Sequence, residues 1–304
     1  MLNTVLGEIN TDQLGNTRIH EHVLWGWTAD MKEKFSKQEV MDIMLPQLIE
    51  LKEFGCNTIV ECTPEGAGRD VEVLAELSEK SGVNIISNCG VWDGLNYGGI
   101  YVPDWMKTNS SQEIADKWIA EFENGIDGTN IRPGFIKIGL GDFDTISEFQ
   151  YTFLEAAIIT SKQTGMPIIA HICSSRSAKE IVEIVSKSGL YLNRFVWSHA
   201  DYKYDDETII KLAKKGAWVD LSWNTATSEV YAWYIKLINT FERQELLDHL
   251  LISQDAGGFH AGEITPYRNF YSALLKECKD AGISDEIIDK FLVENPAKLL
   301  DNRY

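Results

Sequence analysis

The chain has 304 residues, 44% of them hydrophobic and 24% charged, with a formal net charge of −18. That balance suits a soluble globular protein able to bury a sizeable core, as one large α/β domain or two small ones. The negative charge argues against nucleic acid and anionic membranes as partners, and an anionic substrate would need a local cation.

There is no apolar run of about 18 residues, so no membrane span is expected. Met1–Val5 has no basic start, and no signal peptide is expected either. The five cysteines, Cys56, Cys62, Cys89, Cys173 and Cys278, form no CxxC pair. Free thiols in a reducing compartment fit that pattern, and the expected location is cytoplasmic.

In chain order the pattern is strand, then helix, repeated. Met1–Gly15 reads as a short extension. Eight β-rich runs follow, at Thr17–Val23, Asn57–Thr63, Asn84–Gly90, Gly134–Gly139, Pro167–Cys173, Arg194–Ala200, Ala217–Ser222 and Leu250–Asp255. Most are near-continuous apolar runs, as expected of parallel strands covered on both faces. Between them lie amphipathic stretches, among them Lys37–Phe54, Ile146–Thr164, Ala178–Lys187 and Glu207–Lys215. Gly55, Gly82, Gly165, Gly189 and Gly216 stand where helices should end. Eight such units predict a single (β/α)8 barrel over residues 1–304, closed by helices in Asp285–Tyr304 around Asn295-Pro296. A doubly wound open sheet is the alternative. No glycine-rich nucleotide-binding motif opens a helix after the first strand.

Alternation along the first strand puts His20 and His22 on one face and sends Glu21 to the other, behind the strand. An HxH pair alone is a weak metal signal, and packing is the bland alternative. Barrels of this type carry function at the C-terminal ends of their strands. Lys137 lies late in the fourth strand, His171 ends the fifth, His199 the sixth and Asp255 the eighth. A lone strand-end histidine is usually structural, and an aspartate there can cap a helix. An ammonium between isoleucines is costly unless paired or chemically altered. Six such groups at one end of one barrel point to a metal centre. Of the remaining histidines, His249 precedes the eighth strand and reads as structural. His260, in the eighth loop, is a candidate for substrate contact.

Several stretches together resemble the phosphotriesterase family of the amidohydrolase superfamily. They are Leu14–His22, Thr63–Asp70, Phe135–Gly139, Thr164–His171, Ser198–Asp201, Ser253–Asp255 and Asn295–Ala297, in the family's order. The resemblance implies that Lys137 is carboxylated by CO2 and bridges two divalent metals. It implies His20, His22, Lys137 and Asp255 on a buried metal, with Lys137, His171 and His199 on a more exposed one. Zn2+ is expected; Mn2+, Co2+ or Fe2+ also suit nitrogen and oxygen donors. A metal-bridging hydroxide would attack the substrate, with Asp255 as general base. On the resemblance alone a homodimer is expected.

Selectivity should lie in the loops. Lactonase members of the family carry a tyrosine in the third loop, which makes Tyr97 and Tyr101 candidates. Trp223 in the seventh loop is another. Arg176, five residues after His171, is a candidate for a carboxylate or phosphate. Cys173 reads as a neighbour of the metal site rather than a ligand. The eighth loop, Ala256–Gly262, is short, which disfavours long-chain lactones. The expected reaction is opening of a lactone or carboxylic ester, such as a sugar lactone or its phosphate, with phosphotriesterase side activity. Amide or N-acyl hydrolysis is the alternative, and an idle metal- or ligand-binding barrel a third.

Overall fold

A computed structural model describes residues 1–93, 99–140, 145–223, 227–260 and 263–301; at 29–31, 259–260 and 263–264 it describes the backbone alone. Eight parallel strands succeed one another. They are β1 (Thr17–Glu21), β2 (Thr58–Glu61), β3 (Asn84–Ile86 and Asn88–Trp92), β4 (Phe135–Gly139), β5 (Ile168–His171), β6 (Phe195–Ser198), β7 (Trp218–Leu221) and β8 (Leu250–Ile252). The first piece of β3 pairs with β2 and the second with β4, so neighbours are joined from β1 through β8. The ring then returns to β1. The Asp255 N–H donates to the His20 carbonyl at 3.2 Å, the His22 N–H to Ala256 at 2.9 Å and the Gly258 N–H to His22 at 2.8 Å. The fold is the (β/α)8 barrel the sequence predicts, not the open sheet.

Seven helices follow the first seven strands: α1 (Lys37–Glu53), α2 (Val71–Ser81), α3 (Ser111–Asn124), α4 (Glu148–Thr164), α5 (Ser175–Ser188), α6 (Asp206–Lys214) and α7 (Ser228–Arg243). Each begins at a residue whose side chain accepts a backbone N–H of the first turn: Ser36, Asp70, Ser110, Ser147, Ser174, Asp205 and Thr227. Such a cap is worth about 1 kcal/mol. Gly82, Gly165 and Gly189 end α2, α4 and α5 in the left-handed conformation.

Every strand contributes one residue to a single buried layer inside the barrel: Ile19, Val60, Ile86, Phe135, Ile169, Val196, Trp218 and Leu251. Leu2 and Leu14 join that layer from below. The N-terminal extension is therefore part of the core. Its hairpin, Leu2–Thr4 paired with Gly7–Ile9, stoppers the end opposite the strand C-termini. At the other end of the chain the Asn295 amide donates to the carbonyls of Leu247 and Leu250, both at 2.7 Å. That bond pair fixes the last helical turns against the start of β8.

Two residues above the apolar layer, on the same face, come His171 over Ile169, Lys137 over Phe135 and Asp220 over Trp218. Strand alternation thus carries polar groups from a dry layer to the mouth. β1 departs from strict alternation. Arg18 pairs with Ile59 and Glu21 with Glu61, so three steps on β1 oppose two on β2. This bulge puts Arg18 and Glu21 on the same outer side, where they form a fully buried ion pair. The eighth loop contains a small antiparallel pair, Gly257–His260 with Glu263–Thr265.

Candidate metal centre

His20 is held from both sides. Its Nδ1 lies 3.1 Å from Asp220 Oδ2 and its Nε2 lies 2.8 Å from Lys137 Nζ. Asp220 orients the ring so that Nε2 faces the barrel axis. His22 repeats the arrangement, with Nδ1 2.8 Å from Thr63 Oγ1 and Nε2 3.1 Å from Asp255 Oδ1. His199 Nδ1 lies 3.2 Å from Ser222 Oγ, and its Nε2 points toward Asp255 Oδ2 at 3.8 Å. The His171 ring stands 4.3 Å from that of His199, centroid to centroid. The donor atoms of His20, His22 and Asp255 all fall within 4.8 Å of one another.

Close glycines permit this convergence. A Cβ on Gly90 (φ 143°) would sit 1.8 Å from the Lys137 carbonyl oxygen, so glycine alone lets β3 approach β4 there. A Cβ on Gly257 (φ 83°) would sit 2.1 Å from the His22 carbonyl. Behind β1, Glu21 faces away from the centre as alternation predicts. Its carboxylate accepts hydrogen bonds from Arg18, from Ser253 Oγ at 2.9 Å and from the N–H groups of Gln254 at 3.2 Å and Ala256 at 2.8 Å. It therefore fixes the backbone on both sides of Asp255.

The electrostatics suit a cation. Burial pushes His20 and His199 well below the ordinary imidazole range, with Lys137 adding to the effect on His20 and His171 to that on His199. Neutral imidazole is the form that ligates metals. Burial alone would push the Asp255 carboxyl up, but His20, His22 and His199 outweigh it and hold it well below its usual range. His199 Nε2 is buried with no hydrogen-bond partner among the described residues, and Asp255 Oδ1 faces the imidazole nitrogens of His22 at 3.1 Å and His20 at 3.6 Å. A buried imidazole nitrogen without a partner, beside an ionised carboxylate, is a donor set suited to a cation. The donor set present therefore fits divalent metal.

A family model described as the phosphotriesterase family matches residues 1–300. The chain belongs to the phosphotriesterase family. It is 24% identical over 296 residues to the phosphotriesterase homology protein of Escherichia coli, covering 94% of this chain and 98% of that one. It is 25% identical over 345 aligned positions to an N-acetyltaurine hydrolase of Danio rerio, covering 98% and 97%. With an aryldialkylphosphatase of Saccharolobus solfataricus it shares 28% over 218 residues, covering 70% and 67%. The family is metal-dependent, and the latter two relatives are named for hydrolysis of different bonds.

In this phosphotriesterase-family hydrolase the centre forms the floor of a cavity of about 320 Å³. Lys137, His22, His171 and Asp255 lie at the floor, and Trp25, Trp92, Tyr202 and Trp223 make the walls. Trp25 and Trp92 meet edge to face at 4.8 Å, and Trp223 stands perpendicular to His199 at 5.4 Å. Of the residues predicted to contact substrate, Trp223 is at the cavity. Tyr101 packs against Trp25 and Trp92, at 5.4 and 5.3 Å, and supports the wall rather than lining it. Arg176 is not brought to the cavity. It is exposed on the first turn of α5, because the buried face of that helix begins at Ser177 and Ala178. Tyr97 lies outside the described residues, and His260 is described only in its backbone. His249 packs on Trp218 at 5.7 Å, away from the centre.

Sequence reading missed Asp220, Thr63, Ser222, Trp25, Trp92 and Tyr202. Asp220 carried the same signal as Lys137, a charge inside the apolar run Ala217–Leu221. Burial pushes its carboxyl up to about 7. Among the described residues no helix is long and apolar enough to cross a membrane.

Proposed function

We propose that the chain is a binuclear metal hydrolase that opens a lactone or related carboxylic ester. In this reading His20, His22, Lys137 and Asp255 hold a buried divalent ion, and Lys137, His171 and His199 a more exposed one. Zn2+ is the first choice for such a donor set. The observation that carries the reading is the convergence of six ligand-grade side chains at one end of the barrel, four of them (His22, Lys137, His171 and Asp255) lining one cavity and His199 ending in a buried nitrogen without a partner among the described residues.

Lys137 is carboxylated in this proposal. As an ammonium, its charge opposes protonation of both His20 and His199 and would repel any cation they held. A carbamate reverses the sign and supplies oxygen donors. Metals bound here lower the pKa of water and polarise the scissile carbonyl or phosphoryl group. Asp220, Thr63 and Ser222 hold the imidazoles in the tautomer that leaves Nε2 free to ligate. Asp255, kept ionised by the surrounding histidines, accepts the proton of the attacking water and carries it toward the leaving group. The aromatic walls exclude bulk water and favour a small, neutral acyl group. With Arg176 in solvent, a plain lactone is preferred over its phosphate. Phosphotriester hydrolysis is a side activity of the same parts.

Amide hydrolysis is the second reading. The N-acetyltaurine hydrolases favour it, since they align over 98% of this chain. The test is a panel of lactones, aryl esters, N-acyl amides and phosphotriesters with metal-replete protein. Lactone turnover exceeding the other classes is the expected result. Turnover of amides alone would replace the ester reading with the amide one, and no turnover across the panel would leave a metal-binding barrel. Lys137→Ala should abolish activity and lower metal content, with a short carboxylate restoring part of both.

A further inference from the structure

We propose that Cys173 is a metal ligand beside His171, adding a sulfur donor to the nitrogen and oxygen set of the exposed site. The inference rests on the metal-centre reading above. β5 ends at His171, and Cys173 follows two residues later with its side chain in the same cavity. Cys173 Sγ lies 3.5 Å from His171 Nε2. Two donors on one tetrahedral zinc, a nitrogen at about 2.1 Å and a sulfur at about 2.3 Å, are about 3.6 Å apart. The pair is already at the separation that shared coordination requires.

A thiol–imidazole hydrogen bond has a similar length, so distance alone does not decide the matter. The neighbours do. His199, whose ring stands 4.3 Å from that of His171, ends in a buried Nε2 with no partner among the described residues. Asp255, lining the same cavity, turns Oδ2 toward that nitrogen only at 3.8 Å, too far for a hydrogen bond. The His199 nitrogen beside this pair is thus open to a group that none of the described side chains supplies. Of the five cysteines, Cys173 alone is among the described lining residues.

Sulfur changes the metal preference. A thiolate favours Zn2+, Co2+ or Cd2+ over Mn2+ or Mg2+. Cys173 loses its proton to solvent as the ion binds, so one thiol proton is released for each thiolate–metal bond formed. The added negative charge also softens the exposed ion as a Lewis acid, which suits a reactive ester or lactone more than an unactivated amide.

Cobalt-loaded protein tests the assignment by absorption spectroscopy. The wild type should show visible ligand-field bands together with a near-ultraviolet sulfur-to-cobalt charge-transfer band. Cys173→Ser should lose the charge-transfer band completely and keep the visible ones; Cys173→Ala replaces it should the serine variant fail to fold. Zn2+ should also protect Cys173 from iodoacetamide in the wild type, read by peptide mass. Visible bands without the sulfur band in the wild type, a sulfur band that survives in Cys173→Ser, or alkylation of Cys173 unaffected by Zn2+ would overturn the sulfur ligand while the metal centre stood. Failure of the wild type to take up cobalt or zinc at all would remove the metal-centre reading, and the sulfur ligand with it.

Discussion

Glu21 is the residue through which the fold holds the centre, and replacing it with glutamine should be costly. Its side chain and that of Arg18 are both fully buried, so Glu21→Gln leaves the guanidinium without its counter-charge. Arg18 Nε and one terminal nitrogen already lack hydrogen-bond partners among the described residues, and the guanidinium lies 3.6 Å over the Phe270 ring. Breaking one side of a buried pair costs about 3–5 kcal/mol. The amide also turns an NH2 toward one of the donors that the carboxylate accepted from, which adds about 1–3 kcal/mol for an unsatisfied group. A loss of about 4 kcal/mol or more in urea unfolding is therefore expected, with weaker metal binding because Gln254 and Ala256 flank Asp255. Arg18→Met combined with Glu21→Gln should be less destabilised than Glu21→Gln alone, since the uncompensated charge is gone. A loss below about 1 kcal/mol for Glu21→Gln, with metal affinity unchanged, would refute the reasoning.

Asp220→Ala removes the acceptor at His20 Nδ1 and should weaken metal binding about 10–100-fold in titration calorimetry, while unchanged affinity would deny Asp220 an orienting role. Asp93 is buried, and burial pushes its carboxyl from 3.8 up to about 6. The unfolded chain then ionises this group first, so the stability it contributes is present below pH 3.8 and is lost as pH rises through about 6. Asp93→Asn should accordingly stabilise the protein by on the order of 1–3 kcal/mol above that range and by nothing near pH 3, measured as unfolding free energy against pH. Asp255→Asn should depress hydrolysis of N-acyl amides more than that of aryl esters, because an amine leaving group needs a proton and a phenolate does not. General acid–base assistance is worth about 10²–10⁴-fold; equal losses on both substrates at matched metal content would remove Asp255 from that role.

All eight strands were legible as apolar runs, because parallel strands covered on both faces need little else. Their ends were not. Pro167–Cys173 shortens to Ile168–His171 and Leu250–Asp255 to Leu250–Ile252, since backbone pairing stops before the apolar run does. Helix starts were readable only where the cap was noticed. Ser147 and Ser174 begin α4 and α5, whereas periodicity alone placed those starts at Ile146 and Ala178. The bulge in β1 was not legible, because it depends on how β1 pairs with β2. Alternation groups Arg18 with the histidines, and the structure groups it with Glu21. The charged members of the centre stood out because a Lys or Asp in an apolar strand is conspicuous. Trp25, Trp92 and Tyr202 did not, since loop aromatics reach a cavity by tertiary paths that no local spacing records.

His199 shows how strand parity and site geometry are reconciled. Val196 faces the barrel interior and Trp197 the helix layer, where its indole N–H donates to the Ile172 carbonyl. Continued alternation would send His199 outward with Trp197. Instead its backbone turns left-handed, at φ 62°, and the ring swings to the axis. Asp255 is also left-handed, at φ 54°. A non-glycine residue in that region costs about 1–3 kcal/mol and persists only where its surroundings fix it. For His199 the fixing is visible. The Tyr202 N–H closes a turn on the His199 carbonyl at 3.0 Å, and Asp201 accepts the N–H groups of Ser222 and Trp223 and the hydroxyl of Tyr234. One aspartate thus ties the strained end of β6 to the loop that carries both the Nδ1 partner of His199 and a wall of the cavity. Strain at the ligand and placement of the substrate wall are held by the same bonds, so loosening Asp201 would disturb metal and substrate together.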